Sequence, residues 1–209
     1  MCGEGRGPTI EGMKRPSTLR TREVRDRALF DLDDGPVTPS NRAELTAVAQ
    51  LFNVLLASVV VSSLQYEQHA LLVHAPSDRP VVDFLHACAD RDRGSARLIA
   101  ARIRQLGLDA DHDPQHLAAR SRVPFRTFAD GDLAGIATQD LVGARILVQT
   151  LQEAVRWVGD DDPTTRRLLE RLLEDKEADQ LGAQVVNVTA AATSAAAMAT
   201  ADEGSTARP

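Results

Sequence analysis

The chain of 209 residues is poor in aromatic residues and in cysteine, and both shortages exclude classes of protein. Aromatic residues make up 3% of the sequence, while alanine, leucine and arginine are abundant, which favours packed helices over sheet. Cys2 and Cys88 lie far apart, so we predict neither a disulfide framework nor a zinc knuckle. The formal net charge of −6 argues against a surface that generally coats nucleic acid.

Other absences concern secretion, membranes and common catalytic motifs. The first residues contain no apolar signal core, and the longest strongly apolar run, Val54 to Val61, is too short to span a bilayer. We therefore predict a cytoplasmic protein without a membrane partner. The chain also has no glycine-rich phosphate loop and no convincing serine or cysteine triad, so we assign no catalytic residue.

Hydrophobic periodicity predicts an all-α protein with four long helices. A capping box of Asn41 and Glu44 marks the start of the first helix, and Asp162 followed by Pro163 marks the start of the fourth. The predicted helices occupy about 41–75, 80–106, 133–158 and 163–188. Because the link between the first two helices is short, we expect them to be antiparallel neighbours.

The segments outside these helices differ in character. Residues 1–38 form a predicted disordered basic arm, and residues 39–188 form the bundle. Between the second and third helices, residues 108–130 are long enough to cross the whole bundle. The tail 189–209 is rich in alanine and threonine, and it extends the fourth helix, forms a short fifth helix or frays.

One face of the fourth helix combines apolar and charged residues. Its members recur at alternating steps of three and four residues: Leu169, Leu172, Lys176, Asp179, Ala183 and Val186. This spacing places a lysine and an aspartate, one turn apart, in the stripe that we expect to be buried.

Three segments resemble bacterioferritin-like and Dps-like proteins of the ferritin-like superfamily. They are QYEQHA at 65–70, the end of the second helix at 103–107, and RWVGDDDPTT at 156–165. The resemblance covers about residues 41–181 and implies a ferritin-like four-helix bundle with a long crossover between its second and third helices. It also implies oligomers, with partners that are further copies of this chain or an active ferritin-like paralogue.

In that superfamily a di-iron ferroxidase site lies in the middle of the bundle, so the resemblance implies where its ligands would fall. The corresponding positions are Val59, Asp92, Ser95, Ala144, Lys176 and Asp179. Only Asp92 matches the usual ligands in chemical type, and no histidine is present at either histidine position. Tyr66 corresponds to a tyrosine that often lies beside the site.

We therefore predict that the ferroxidase centre is replaced by an internal ion pair, in which the Lys176 ammonium lies between Asp92 and Asp179. Alternatively, Lys176 extends to solvent and the pair has no significance. A shift of two residues would bring Glu174 and Glu177 to the metal positions, but both would then leave the apolar stripe. The predicted function is a non-catalytic ferritin-like subunit of a homo- or hetero-oligomer.

Two other functions are open alternatives: an iron-storage or detoxifying ferritin that uses unconventional ligands, and a DNA-protection protein. DNA contact would come from basic residues of the arm, namely Lys14, Arg15, Arg20 and Arg22. The crossover offers a weak surface cation site at Asp111, His112, Asp113 and His116. We predict no other cofactor, because the second helix has no methionine that could bind haem as in bacterioferritins.

Overall fold

The computed structural model describes residues 41–205, with side chains up to residue 195, and the isolated positions 25, 26, 28 and 37. The regular secondary structure of the described residues from 41 onward is entirely helical. The α-helices are α1 (Leu45–Leu72), α2 (Arg79–Gln105), α3 (Pro114–Arg120), α4 (Leu133–Val158) and α5 (Pro163–Ser205), and a 3-10 turn covers Pro76–Asp78. Lys14, Arg15, Arg20 and Arg22 of the basic arm lie outside the described residues.

Two helical hairpins form the bundle. α1 packs along α2, and α4 packs along α5, while the crossover returns the chain from the end of α2 to the start of α4 with α3 lying against α1. The predicted all-α four-helix bundle with a long crossover between its second and third helices is therefore confirmed. The core is apolar and includes Phe52 and Leu55 of α1, Ile99 of α2 and Leu147 of α4.

The predicted bounds of α1 were too wide at both ends. Glu44 turns back onto its own helix and accepts hydrogen bonds from the backbone N–H groups of Thr46 and Ala47, at 3.0 and 2.5 Å. Asn41 instead closes a turn before the helix, so α1 begins at Leu45. It ends at Leu72 because the chain becomes extended before Pro76, where a proline disfavours helix in the preceding residues.

The start of α5 is joined to α2 through Asp162. Its carboxylate accepts from the backbone N–H of Thr165 at 3.0 Å and from the Thr165 hydroxyl at 2.5 Å. Arg102 of α2 donates to both carboxylate oxygens, at 2.9 and 2.8 Å. Burial alone would raise the pKa of Asp162, but the hydrogen bonds from Thr165 and Arg102 lower it below its usual value. The predicted cap at Asp162 is therefore also a tie between hairpins.

α5 is much longer than the other helices. It has 43 residues against 26 to 28 in α1, α2 and α4, which corresponds to about 64 Å against about 40 Å. Residues 189–205 thus prolong the fourth long helix, and the short fifth helix that was one prediction for the tail is not formed. The physical reason is that the segment lacks a proline and has no glycine before Gly204, while alanine favours helix.

α1 has an unusual apolar character. The run Val54 to Val61 lies within this helix. By length and composition alone, the helix Leu45–Leu72 is long and apolar enough to cross a membrane. More than half of its most apolar window is buried inside the bundle. A helix buried in a protein core can have the same length and apolar composition, so this property is weak evidence that α1 spans a membrane.

We predict that Asp162→Ala lowers the free energy of unfolding by about 3 kcal/mol, because it removes a helix cap and leaves Arg102 without its buried partner. Urea denaturation at pH 7 measures the change. Asp132→Ala is the matched control, since Asp132 caps α4 through Gly135 alone and its loss should cost about 1 kcal/mol. Because the pKa of Asp162 is lowered by folding, its contribution is present at neutral pH and declines below about pH 4. Equal losses in the two variants would contradict the tie.

Candidate functional site

A lysine and two aspartates meet in the bundle core. Lys176 of α5 is 1% exposed, and its ammonium donates to Asp179 Oδ2 at 2.7 Å, three residues further along the same helix. The same ammonium forms an ion pair with Asp92 Oδ1 on α2. Both carboxylates are fully buried. The cation therefore lies between two anions that come from different hairpins.

Arg91 adds a second cation from the surface side. Its Nε donates to Asp179 Oδ1 at 2.7 Å, and its terminal nitrogen donates to the thiol sulfur of Cys88 at 3.2 Å. The Arg91 side chain is 40% exposed, whereas Asp179 is fully buried. Each oxygen of Asp179 is thus paired with a different cation, and the four charged groups sum to zero.

Burial and neighbouring charges affect the pKa values of Lys176 and Asp92 differently. Burial alone would lower the pKa of Lys176, but the attraction of Asp92 and Asp179 outweighs burial and raises it. Burial raises the pKa of Asp92, and Lys176 and Ser62 offset this only in part. Within the described residues no hydrogen bond of regular geometry reaches either Asp92 oxygen. Asp92 is therefore held mainly by its ion pair with Lys176.

Tyr66 of α1 closes the network on one side. Its ring centroid lies 6.0 Å from Lys176 Nζ, and the residue is 2% exposed. Burial raises the pKa of this phenol well above its usual value, and Cys88, Asp92 and nearby carboxylates raise it further. Tyr66 therefore remains a neutral phenol at physiological pH.

The other positions implied by the resemblance are buried and supply neither a carboxylate nor an imidazole. Val59 of α1 and Ala144 of α4 are aliphatic core residues. Ser95 of α2 donates its hydroxyl to the backbone oxygen of Arg91 at 3.0 Å. A pair of iron ions needs several carboxylates and imidazoles, and this site supplies two carboxylates that already face cations. The residues present do not fit a di-iron centre.

The alternatives for helix four do not agree with the geometry. Lys176 does not reach solvent, since its side chain is 2% exposed. Glu174 and Glu177 are exposed and lie away from the core stripe of α5, so a shift of two residues does not occur.

The crossover cluster uses its side chains within its own segment. Asp111 pairs with Arg120 and accepts from His116 at 3.1 Å, and these contacts together with a backbone hydrogen bond lower its pKa. Asp113 caps α3 by accepting from the N–H of Gln115 at 2.9 Å. Within residues 41–195 no group of three or more acidic, histidine or cysteine side chains is arranged to hold a metal ion. His112 therefore belongs to no such group.

Sequence reasoning missed Arg91 and a second buried polar group. Arg91 lies beside the α2 stripe rather than on it, and only its spacing of three residues from Cys88 could have indicated a role. The second group joins His69 of α1 to Asp140 of α4 through Nδ1 and Oδ1 at 2.7 Å, and both residues are buried. No signal in the sequence indicates Asp140, because one aspartate in a helix carries no distinctive pattern.

Comparison with known proteins gives a family match and structural neighbours. The family model described as "Ferritin-like domain" matches residues 49–191. No curated protein matches the chain significantly in sequence. A dodecameric thioferritin, the bacterioferritin-related protein of Bacteroides fragilis, superposes with a TM-score of 0.69 at 21% identity, covering 74% of this chain and 92% of that one.

Two further neighbours are Dps proteins. DpsC from Streptomyces coelicolor superposes with a TM-score of 0.62 at 19% identity, covering 66% of this chain and 81% of that chain. Dps92 from Deinococcus radiodurans gives 0.64 at 21% identity, covering 68% and 86%. At these identities the neighbours establish the fold alone.

We predict that Lys176→Met lowers the free energy of unfolding by about 3–5 kcal/mol at pH 7, because Asp92 and Asp179 then remain buried without their central cation. Chemical denaturation measures the loss. The double variant Lys176→Met/Asp92→Asn is the matched control, since it leaves Asp179 paired with Arg91 and should recover most of the stability. The single variant should also become relatively more stable as the pH falls and Asp92 binds a proton. A loss below about 1 kcal/mol in the single variant would contradict a structural ion pair.

Proposed function

The chain belongs to the ferritin-like domain family, and we propose that it is a bacterioferritin- or Dps-type subunit without a di-iron ferroxidase centre. In this proposal an internal ion pair takes the place of the metals, and the protein serves as a non-catalytic component of a homo- or hetero-oligomeric assembly. The observation that carries the proposal is the buried Lys176 ammonium between Asp92 and Asp179.

Electrostatics supports this interpretation. A lysine ammonium and a metal cation repel each other strongly when no water lies between them. Two ferrous ions would bring four positive charges to a network whose charges already sum to zero. Binding would require Lys176 to lose its proton, and the neighbouring carboxylates raise the pKa of that group. The ion pair therefore stabilises the bundle and opposes metal entry.

The outer face of α5 supports the assembly role. Leu181, Val185 and Val188 are 68%, 60% and 59% exposed, and they follow one another at steps of four and three residues. This is the spacing of a helix–helix seam. No charged residue occurs between Asp179 and Asp202, so α5 itself adds no charge to this surface. The Bacteroides fragilis neighbour is dodecameric, and its assembly is consistent with self-association in this family.

The place of action and the partner follow from the same proposal. We expect the assembly to work in the cytoplasm, where thiols such as Cys88 remain reduced. Its partners are further copies of this chain or an active ferritin-like paralogue, which would provide the oxidation chemistry.

We predict that the protein alone does not accelerate the aerobic oxidation of ferrous iron above the rate in buffer. Oxygen consumption and the absorbance of ferric iron measure the reaction. Asp92→Ala is the control, because any rate that depends on this site must fall when one of its two carboxylates is removed. A saturable oxidation that Asp92→Ala abolishes would disprove the non-catalytic role.

We predict that Leu181→Glu/Val185→Glu lowers the oligomer mass, because two charges would enter an apolar helix seam. Sedimentation velocity measures the mass, and circular dichroism verifies the fold. Gln180→Glu/Thr189→Glu is the matched control, since it adds two charges to α5 beside the seam and leaves Gln184, which accepts from Arg145, unchanged. A wild-type protein that is monomeric at micromolar concentration would contradict the assembly role itself.

A further inference from the structure

Gln65 of α1 holds the crossover against the bundle through two hydrogen bonds, which we term the Gln65 clasp. The backbone N–H of Arg126 donates to Gln65 Oε1 at 2.6 Å, and Gln65 Nε2 donates to the backbone oxygen of Arg126 at 2.7 Å. A backbone N–H can only donate, so the orientation of the Gln65 amide is fixed. The amide nitrogen must face the carbonyl of Arg126.

The clasp determines the tautomer of His69. The remaining N–H of Gln65 Nε2 points at His69 Nε2, 2.6 Å away, one turn along α1. Because both protons of the amide are then in use as donors, His69 Nε2 must accept. The ring proton therefore lies on Nδ1, which donates to Asp140 Oδ1 at 2.7 Å. The closed clasp requires a neutral His69.

We propose that His69 is a pH-sensitive switch, whose protonation opens the Gln65 clasp and releases the segment of the crossover around Arg126. A protonated imidazole carries a proton on Nε2 as well as on Nδ1. Its Nε2–H group would then face the N–H group of the Gln65 amide. Without rotation of the amide, the Gln65–His69 hydrogen bond is lost and two donors face each other. Rotating the amide to offer its oxygen relieves that contact but sets like against like at both atoms of Arg126, so the two hydrogen bonds of the clasp are lost. A fall in pH drives protonation of an imidazole, so the clasp opens as the pH falls and closes as it rises.

Asp140 offers a charged partner to the His69 ring. Asp140 of α4 is its nearest carboxylate, and the second oxygen of Asp140 is buried without a hydrogen bond among the described residues. Burial raises the pKa of Asp140, and His69 partly offsets this effect. A His69 cation would supply the full charge that this buried carboxylate lacks.

The cations near this turn are Arg126 of the crossover, which is exposed, and Lys176 of α5, whose ammonium is paired with Asp92 and Asp179. Phe128 of the crossover presents an aromatic contact to His69, with ring centroids 5.3 Å apart. α1 contributes Tyr66 and α2 contributes Cys88 to the adjoining core cluster, and burial raises the pKa of both groups, so both remain neutral. The switch therefore depends on His69 and Asp140 alone among these titratable groups.

Opening the clasp would be local. Arg122, four residues earlier in the crossover, is held separately, because its backbone N–H donates to the Ser58 hydroxyl at 2.9 Å. This tether contains no titratable side chain. The segment from Phe125 to Phe128 forms one wall of an open groove of about 720 Å³ against α4, so the shape of that groove would change with pH.

Hydrogen exchange of the intact protein tests the switch, with rates corrected for the intrinsic pH dependence of exchange. The Arg126 amide should lose about tenfold protection or more between pH 7.5 and pH 5.5, because two hydrogen bonds are broken. The Arg122 amide is the internal control and should keep its protection. Nitrogen NMR of the ring should show the Nδ1–H tautomer of His69 at pH 7.5.

Two variants separate the switch from a general loss of stability. His69→Gln keeps an acceptor but cannot be protonated, so protection of the Arg126 amide should no longer depend on pH. Asp140→Asn removes the charge that favours the imidazolium, so opening should move to lower pH. The proposal is overturned if NMR shows the Nε2–H tautomer at pH 7.5, or if His69 becomes protonated while the Arg126 amide stays protected.

Discussion

A buried ammonium can remain in a protein core only while carboxylates neutralise it, and this constraint governs the centre of the bundle. Lys176 fixes the register of α5 against α2, because a shift of either helix would separate it from Asp92. Asp179 in turn depends on Arg91, which brings a charge inward from the surface. The core therefore tolerates three buried charges, because each has a partner within contact distance and Arg91 supplies the fourth charge from the surface.

The two buried polar groups around Lys176 and His69 satisfy different demands. The lysine network balances full charges between hairpins, whereas the His69 group uses directional hydrogen bonds to attach an irregular segment to a regular helix. Tyr66 lies in the core between them, and carboxylates from both groups raise its pKa. The lysine network, beside Tyr66, and the His69 group are thus about one turn of α1 apart. In our proposal only the His69 group changes its hydrogen bonds when it gains a proton.

Much of the fold was predictable from sequence, because helical spacing is a local property. The steps of three and four residues placed Lys176 and Asp179 on the buried face, and a proline behind an aspartate marked the start of α5. Arg91 was not predictable, since it lies beside the apolar stripe and reaches the site along its side chain. The contact of Gln65 with Arg126 spans 61 residues and an irregular crossover, for which no periodic signal exists.

Three charged contacts join α2 of one hairpin to α5 and its capping residue in the other, at Asp92–Lys176, Arg91–Asp179 and Arg102–Asp162. The covalent link between the same halves is the crossover, which contributes none of these pairs. A protease cut in that loop would therefore leave two fragments bound to each other as a noncovalent heterodimer. For this protein, an unchanged native mass is no proof of an unbroken backbone, and integrity has to be judged under denaturing conditions.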